Sequence, residues 1–156
     1  MQPSDLILPR DPSLTREKVL RMLEDAASTP NPEAVEYAVT SAHQIGRCAE
    51  FVMPLLSLLH SRDHFRHEDI VGALQSIKDA RSVDGLFEAA VIKHSYLDYD
   101  KFFGLARKCT WALADIGTPE AKSKLQLLTS NENPLIAGYA KKRLDSWDDE
   151  RPRKNA

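Results

Sequence analysis

The chain has 156 residues, of which 42% are hydrophobic and 28% are charged, and its formal net charge is −2. This length and composition suit one globular domain and argue against a collagen-like or largely disordered chain. The balanced charge disfavours sequence-independent binding of nucleic acid, which needs a basic surface, and two distant cysteines exclude a disulfide scaffold.

Apolar residues recur at intervals of three and four along most of the chain, which is the period of an amphipathic helix and not of a strand. The pattern predicts an all-α fold of about eight helices, at 14–27, 32–45, 48–60, 66–78, 82–93, 102–116, 119–129 and 134–147. Residues 1–13 are expected to be loosely ordered, residues 14–147 to form the folded domain, and residues 148–156 to form a flexible charged tail.

Several helix ends are marked by the types of their residues. Three predicted starts pair a small polar residue, which can cap a helix, with a proline that suits the first turn: Asn31-Pro32, Thr118-Pro119 and Asn133-Pro134. Gly46 and Gly117 follow two helical stripes, at places where a left-handed C-cap favours glycine.

A short internal repeat joins these helices into units. A small residue, an apolar residue and, three positions later, an isoleucine recur at 41–45, 73–77 and 112–116, and a weaker copy ends in Trp147. Each of the first three copies is followed by a short turn and a second apolar helix. One such helix pair exposes an apolar face that it cannot bury alone, so stacked pairs with a shared core are predicted.

Two of these units, ALADIGTPEAKSKLQLL and ALQSIKDARSVDGLFEAA, resemble HEAT-like repeats of the PBS-lyase type. Lys78 stands where such repeats have a glycine after the first helix. The resemblance covers residues 32–147 and implies an α-solenoid of stacked antiparallel helix pairs (HEAT/ARM-like). Short stand-alone HEAT-like proteins also resemble bacterial immunity proteins, so the resemblance implies a protein-binding role and, most specifically, neutralisation of a cognate toxin.

The longest internal connection, 94–101, combines aromatic and acidic residues, a composition typical of protein recognition. We expect the partner to contact this loop and the following helix through Tyr96, Asp98, Tyr99, Asp100, Phe103 and Trp111. The acidic groups would suit a basic partner such as a nuclease toxin, because opposite charges speed association. A local cap over the groove between repeats is the other interpretation of the loop.

A metal site is the alternative to protein binding. His60, His64 and His67 lie within eight residues, and on a helix such spacing can bring two imidazoles to one ion. His67-Glu68 also resembles the His-Glu pairs of HEAT-type diiron hydroxylases. One pair is too few for a diiron centre, so no metal, cofactor or catalytic residue is assigned.

Other partners and roles are expected as follows. An assembly chaperone resembling the HEAT-like phycobilin lyases is a further alternative, although no residue indicates a chromophore. No signal peptide is visible, and no apolar run reaches the about 18 residues of a membrane span. We therefore expect a cytoplasmic protein that binds neither nucleic acid nor membrane. The end helices of a solenoid can pair, so both a monomer and a homodimer remain open.

Overall fold

A computed structural model describes residues 12–29 and 31–154, and within them the protein is all-α, with no strand. The helices in this part are α1 (Arg16–Ser28), α2 (Pro32–Ile45), α3 (Val52–Leu59), α4 (His67–Ile77), α5 (Val83–Val91), α6 (Gly104–Ile116), α7 (Pro119–Leu128), α8 (Pro134–Asp145) and α9 (Trp147–Lys154). Short 3-10 turns occur at Ala49–Phe51, Ala80–Ser82 and Ser95–Leu97. The predicted fold class is confirmed, with one helix more than expected. Residues 1–11 of the expected loose N-terminus lie outside the described residues.

The helix starts that the sequence predicts are confirmed by their caps. The side-chain oxygens of Asn31, Thr118 and Asn133 accept hydrogen bonds from backbone N–H groups two or three residues later, at 2.9 to 3.1 Å. Gly117 has φ +72° and closes α6 in the predicted left-handed conformation. Gly46 also has a positive φ, but its ψ of −159° is extended, so the left-handed cap predicted after α2 is wrong.

The helices form two rows. Successive contacts join α2, α4, α6 and α8 in one row and α1, α3, α5 and α7 in the other, and α1–α2, α3–α4, α5–α6 and α7–α8 pack across the rows. The fully buried leucines between the rows include Leu23, Leu55, Leu74, Leu86, Leu113 and Leu125. This order is the one that stacked helix pairs produce, since each pair buries its apolar face on the next. None of the described helices has both the length and the apolar character to cross a membrane.

Lys78 occupies the position in its unit that Gly117 occupies in the next one. Its backbone lies in the left-handed region, with φ 58° and ψ 37°, and its N–H donates to the carbonyl of Leu74 at 3.0 Å. A side chain with a Cβ is strained in this conformation, whereas glycine is not. The left-handed backbone is therefore strained at Lys78, whereas a glycine at this position of the repeat would not be strained.

Lys78→Gly should stabilise the protein by about 0.5–1 kcal/mol, because relief of the left-handed strain exceeds the added flexibility of the unfolded chain. Urea unfolding measures the change. Lys78→Ala is the control, since it also removes the 3.3 Å hydrogen bond from Nζ to the carbonyl of Lys154 but keeps a Cβ. Equal stabilities for the two variants would contradict the argument from strain.

The expected flexible tail is corrected by the structure for residues 148–154, which form most of α9. Two of the charges that suggested a solvated tail, those of Glu150 and Lys154, are paired with each other and with charges on earlier helices. Glu150 accepts hydrogen bonds from Arg143 and Lys154, both at 2.7 Å, and Lys154 also pairs with Asp115 at 3.1 Å. The Arg151 guanidinium donates to the carbonyl of Ala114 and lies over the ring of Trp147. Residues 155 and 156 lie outside the described residues.

Candidate binding surface

The segment 92–103, which connects α5 and α6, carries five of the six residues predicted to contact a partner. Asp100 fixes the end of this segment, because its carboxylate accepts the N–H of Phe102 at 2.9 Å and that of Gly104 at 2.8 Å. These two hydrogen bonds lower the pKa of Asp100. A Cβ on Gly104 would lie 2.7 Å from the same carboxylate, so the cap depends on glycine there. Asp100 was expected to contact a partner, but the structure uses its carboxylate to begin α6.

Two further contacts hold the end of the segment. The hydroxyl of Tyr139 on α8 donates to the carbonyl of Phe102 at 2.5 Å. Phe103 takes a left-handed conformation, with φ 54°, and its ring packs against the core. Such a conformation is uncommon for a bulky residue and persists only when its surroundings impose it. The chain thereby turns sharply enough for Phe102 to face solvent while Phe103 faces inward.

Aromatic side chains are concentrated on the outside of this segment. Tyr99 is 78% exposed and Phe102 is 72% exposed. Phe65, also exposed, packs edge-on against Tyr96 with ring centroids 5.3 Å apart. We call Phe65, Tyr96, Tyr99 and Phe102 the aromatic surface. It includes all but one of the exposed aromatic side chains in the described part of the chain, the exception being Tyr37 on α2.

Three stacked histidines lie beneath the aromatic surface. The rings of His64 and His67 are 4.1 Å apart between centroids and inclined by 18°, and those of His67 and His94 are 3.8 Å apart and inclined by 25°. His64 Nε2 donates to the carbonyl of Leu58 at 2.6 Å, and its Nδ1 accepts the N–H of Arg66 at 3.0 Å. All three side chains are buried. The first ring therefore has both nitrogens engaged as a neutral imidazole.

His67 links the stack to the aromatic surface. Its Nε2 donates to the carbonyl of Ser61 at 2.6 Å, and its Nδ1 accepts the hydroxyl of Tyr96 at 2.7 Å. Burial lowers the pKa of His64 and of His94, and lowers that of His67 to about 4. The three imidazoles are therefore neutral at neutral pH. They hold Tyr96, and with it the start of the segment, through the hydrogen bond to His67 and through ring packing.

The residues of the alternative metal site do not converge. His60 Nε2 lies 3.6 Å from the Glu88 carboxylate, and the Glu68 carboxylate lies 2.9 Å from the Lys108 ammonium. His64 and His67 use both ring nitrogens for hydrogen bonds within the chain, which leaves no lone pair for an ion. Across residues 12–29 and 31–154, no group of three or more His, Cys, Asp or Glu side chains is placed to hold a metal. The interpretation of His60, His64, His67 and Glu68 as one ligand set is therefore set aside.

Trp111 does not belong to the aromatic surface, although the sequence predicts that it contacts a partner. The Arg143 guanidinium lies 3.5 Å from the centroid of its indole ring, and the Lys154 ammonium lies 5.4 Å from it. These residues belong to α8 and α9, so the indole is covered from within the chain. Arg143 belongs to α8, which the sequence predicts, and Lys154 belongs to α9, which it does not.

A cavity of about 660 Å³ opens beside the segment, between the ends of α5 and α7 and the starts of α6 and α8. Apolar residues form much of its wall, among them Ile92, Leu97, Phe103 and Ile136. Asp98 lines the cavity together with Lys93 and Lys101. Asn131, Glu132, Asn133 and His94 also line it, and none of these was predicted. The Asn133-Pro134 pair signalled only a helix start, and nothing in the sequence joined it to His94.

The arrangement suits binding better than covalent chemistry. The segment 92–103 contributes residues to both the aromatic surface and the cavity. Both cysteines are buried, and burial raises the pKa of the Cys109 thiol, so that thiol is a poor nucleophile. No family model matches the chain, and no curated protein and no solved structure matches it either.

Proposed function

We propose that this protein is a binding module that holds another protein through the aromatic surface. The observation that carries the proposal is the exposure of Tyr99 and Phe102 on a segment that is fixed at several points. Large aromatic side chains dominate the energetics of protein interfaces. Because Asp100, Tyr96 and Tyr139 already order the segment, a partner need not supply the free energy of ordering it.

The charges around the aromatic surface favour a partner that presents apolar groups over a partner that presents basic groups. The carboxylate of Asp100 is engaged as a helix cap, and Asp98 shares the cavity wall with Lys93 and Lys101. Opposite charges therefore balance at the place where a basic partner would need an acidic field. We infer a partner that presents apolar and neutral hydrogen-bonding groups, and a basic nuclease surface is not required.

The most specific form of the proposal is an immunity protein that binds and neutralises a toxin. The resemblance to HEAT-like immunity proteins supports this form, and the preordered aromatic surface is consistent with an inhibitor that binds without rearrangement. Co-expression with a toxin encoded beside its gene tests the form directly. Protection by the wild-type chain, and loss of protection with Tyr99→Ala and Phe102→Ala combined, is the expected outcome.

Tyr99→Ala should raise the Kd of the partner complex about tenfold or more, because it removes a large exposed contact without touching the core. Co-purification from the native source identifies the partner, and calorimetry with the purified pair measures the Kd. Tyr37→Ala is the matched control, since it removes a 60% exposed tyrosine from α2. A partner that binds both variants as tightly as the wild type would overturn the proposed surface, and an unchanged melting temperature shows that both variants are folded.

A further inference from the structure

The stacked histidines hold only the start of the segment that connects α5 and α6. His94 belongs to this segment and is the end ring of the stack, with its centroid 3.8 Å from that of His67. Two residues later, the hydroxyl of Tyr96 donates to Nδ1 of His67 at 2.7 Å. The end of the segment is held elsewhere, by the carboxylate of Asp100 and the hydroxyl of Tyr139. The start can therefore leave the stack while the end stays attached to α6 and α8.

The hydrogen bonds of the stack leave no place for a further proton. Nε2 of His67 donates to the carbonyl of Ser61, and Nδ1 already accepts the hydroxyl of Tyr96. In His64, Nδ1 accepts the backbone N–H of Arg66, a donor that cannot become an acceptor. Neighbouring rings have their centroids 4.1 and 3.8 Å apart, so two protonated rings in contact would repel each other.

The charged groups around the stack do not compensate for an added proton. Those that face it are Arg62, Asp63 and Arg66 before α4, Glu68 and Asp69 on α4, Tyr96 and Tyr99 on the segment, and Lys108 of α6 behind Glu68. The two α4 carboxylates are paired with Lys108 at 2.9 Å and with Arg66 at 3.4 Å. Burial lowers the pKa of His67 and of His94, and the positive charge of Arg62 lowers both further. No ring of the stack forms an ion pair within the described ranges, where the histidine that does so is His60.

We propose that the histidine stack is a pH-sensitive switch, in which protonation releases residues 94–99 and with them Tyr96 and Tyr99 of the aromatic surface. As a form of regulation this rests on the proposed function, because the released tyrosines are the ones that would hold the partner. Phe102 stays in place, since the carboxylate of Asp100 continues to accept its N–H. The two hydrogen bonds to this carboxylate lower the pKa of Asp100, so it is still ionised at pH 5.

The size of the effect follows from the protons that His67 binds. Its pKa is about 4 while residues 94–99 lie on the stack, against 6.5 for an exposed histidine. Release of these residues uncovers one face of the ring and its Nδ1, so the released form binds a proton that the closed form excludes. The equilibrium constant for opening should therefore rise about twentyfold between pH 7 and pH 5. His94 adds to this factor, because burial lowers its pKa as well.

Hydrogen exchange of single backbone amides, followed by NMR on the full chain, tests the switch without a partner. The N–H groups of Leu97 and Asp98 donate to carbonyls within residues 94–99, at 2.9 and 3.1 Å, and so report its opening. Their protection, corrected for the intrinsic exchange rate, should fall at least about twentyfold from pH 7 to pH 5. This fall should be the same in about 1 M urea, because a local opening exposes little surface. The N–H of Leu113, in the core of α6, reports global unfolding and should respond to urea.

Substitutions in the stack separate the switch from general acid sensitivity. His67→Gln combined with His94→Phe removes both titrating rings, while glutamine can still bond to Ser61 and Tyr96 and phenylalanine can still stack. Protection of Leu97 and Asp98 should then hardly change between pH 7 and pH 5. His94→Phe alone should show a smaller fall than the wild type and serves if the double variant does not fold. His60→Gln is the control, since it removes a histidine outside the stack.

Two results would overturn the switch. One is protection of Leu97 and Asp98 that stays constant from pH 7 to pH 5 in the wild type, or that falls only as that of Leu113 falls. The other is a fall that persists unchanged in the stack variants. In either case the local opening would not be driven by protonation of the stacked rings.

Measurements with the partner separate the switch from the proposed function. The Kd of the wild type should rise from pH 7 to pH 5 by the factor by which the closed fraction falls, and the double variant should lack this rise. An equal rise in both proteins would contradict regulation by the stack. If protection falls as expected but Tyr99→Ala binds the partner normally, the switch stands and the aromatic surface is wrong. If protection is constant but Tyr99→Ala loses the partner, only the switch is wrong.

Discussion

Between pH 7 and pH 5 the free energy of unfolding should fall by at least about 2 kcal/mol, because the stacked histidines resist protonation only while the protein is folded. His67 has a pKa of about 4 in the folded protein, against 6.5 in an unfolded chain. Below pH 6.5 the unfolded chain binds a proton that the folded protein excludes. The contribution of His67 to the free energy of unfolding is therefore fully present above pH 6.5 and is lost progressively towards pH 4. The decline from this one group approaches about 1.4 kcal/mol per pH unit.

The other two rings act in the same direction. Burial also lowers the pKa of His64 and His94, so both add to the loss of stability below pH 6.5. The carboxylates of Asp79 and Asp100 have lowered pKa values, and their contribution is lost only under more acidic conditions. A measurement confined to pH 5 and above therefore reports mainly on the histidine stack.

Urea unfolding at pH 7, 6.5, 6, 5.5 and 5 measures this dependence. His67→Gln should show a shallower slope than the wild type, because glutamine can bond to both Ser61 and Tyr96 but does not titrate. His60→Gln, which removes a histidine outside the stack, is the control variant. A free energy of unfolding that stays constant down to pH 5 would contradict the buried neutral stack.

Glu150→Ala should destabilise the protein by about 3 kcal/mol, because it leaves a buried guanidinium without its counter-charge. Arg143 is 5% exposed and Glu150 is 7% exposed, and their side chains are 2.7 Å apart. Burial raises the pKa of Glu150. The hydrogen bond from Lys154 and the charges of Lys154 and Arg143 together lower this pKa by more than burial raises it, so the net shift is downward. The carboxylate is therefore ionised and holds α9 against α8.

Chemical unfolding of Glu150→Ala and Asp149→Ala provides the comparison. Asp149 is the adjacent residue of the same helix, carries the same charge and is exposed, so its loss should cost less than about 0.5 kcal/mol. Tryptophan fluorescence should also change only in Glu150→Ala, since Arg143 stacks on Trp111. Equal stabilities would mean that α9 contributes little to the fold.

The local signals of the sequence were sufficient for most of the fold. A capping side chain followed by proline fixes a helix start through short-range chemistry, which is why Asn31, Thr118 and Asn133 predicted their helices correctly. Comparison of the units also places Lys78 where a left-handed residue is needed. Such features depend on a few neighbouring residues and can be derived from them.

The parts that the sequence did not predict depend on distant contacts. The sequence of α9 predicts a solvated tail, because charge and hydropathy do not reveal that Glu150 pairs with Arg143, seven residues earlier, in a buried site. Trp111 seemed available for a partner because the residues that cover its ring, Arg143 on α8 and Lys154 on α9, lie far along the chain. His94 stacks on His67 from a different connection, so spacing along the chain suggested a metal site with His60 and Glu68 instead.

Site-specific photocrosslinking tests the binding surface most directly. Tyr99 and, as the control, Tyr37 are each replaced by a benzophenone amino acid in the full chain, which is then expressed in its native source and irradiated. The account predicts one covalent adduct of defined larger mass from position 99 and none of that mass from position 37. An adduct from position 37 alone, the same adduct from both, or no adduct from position 99 would contradict a partner held by the aromatic surface.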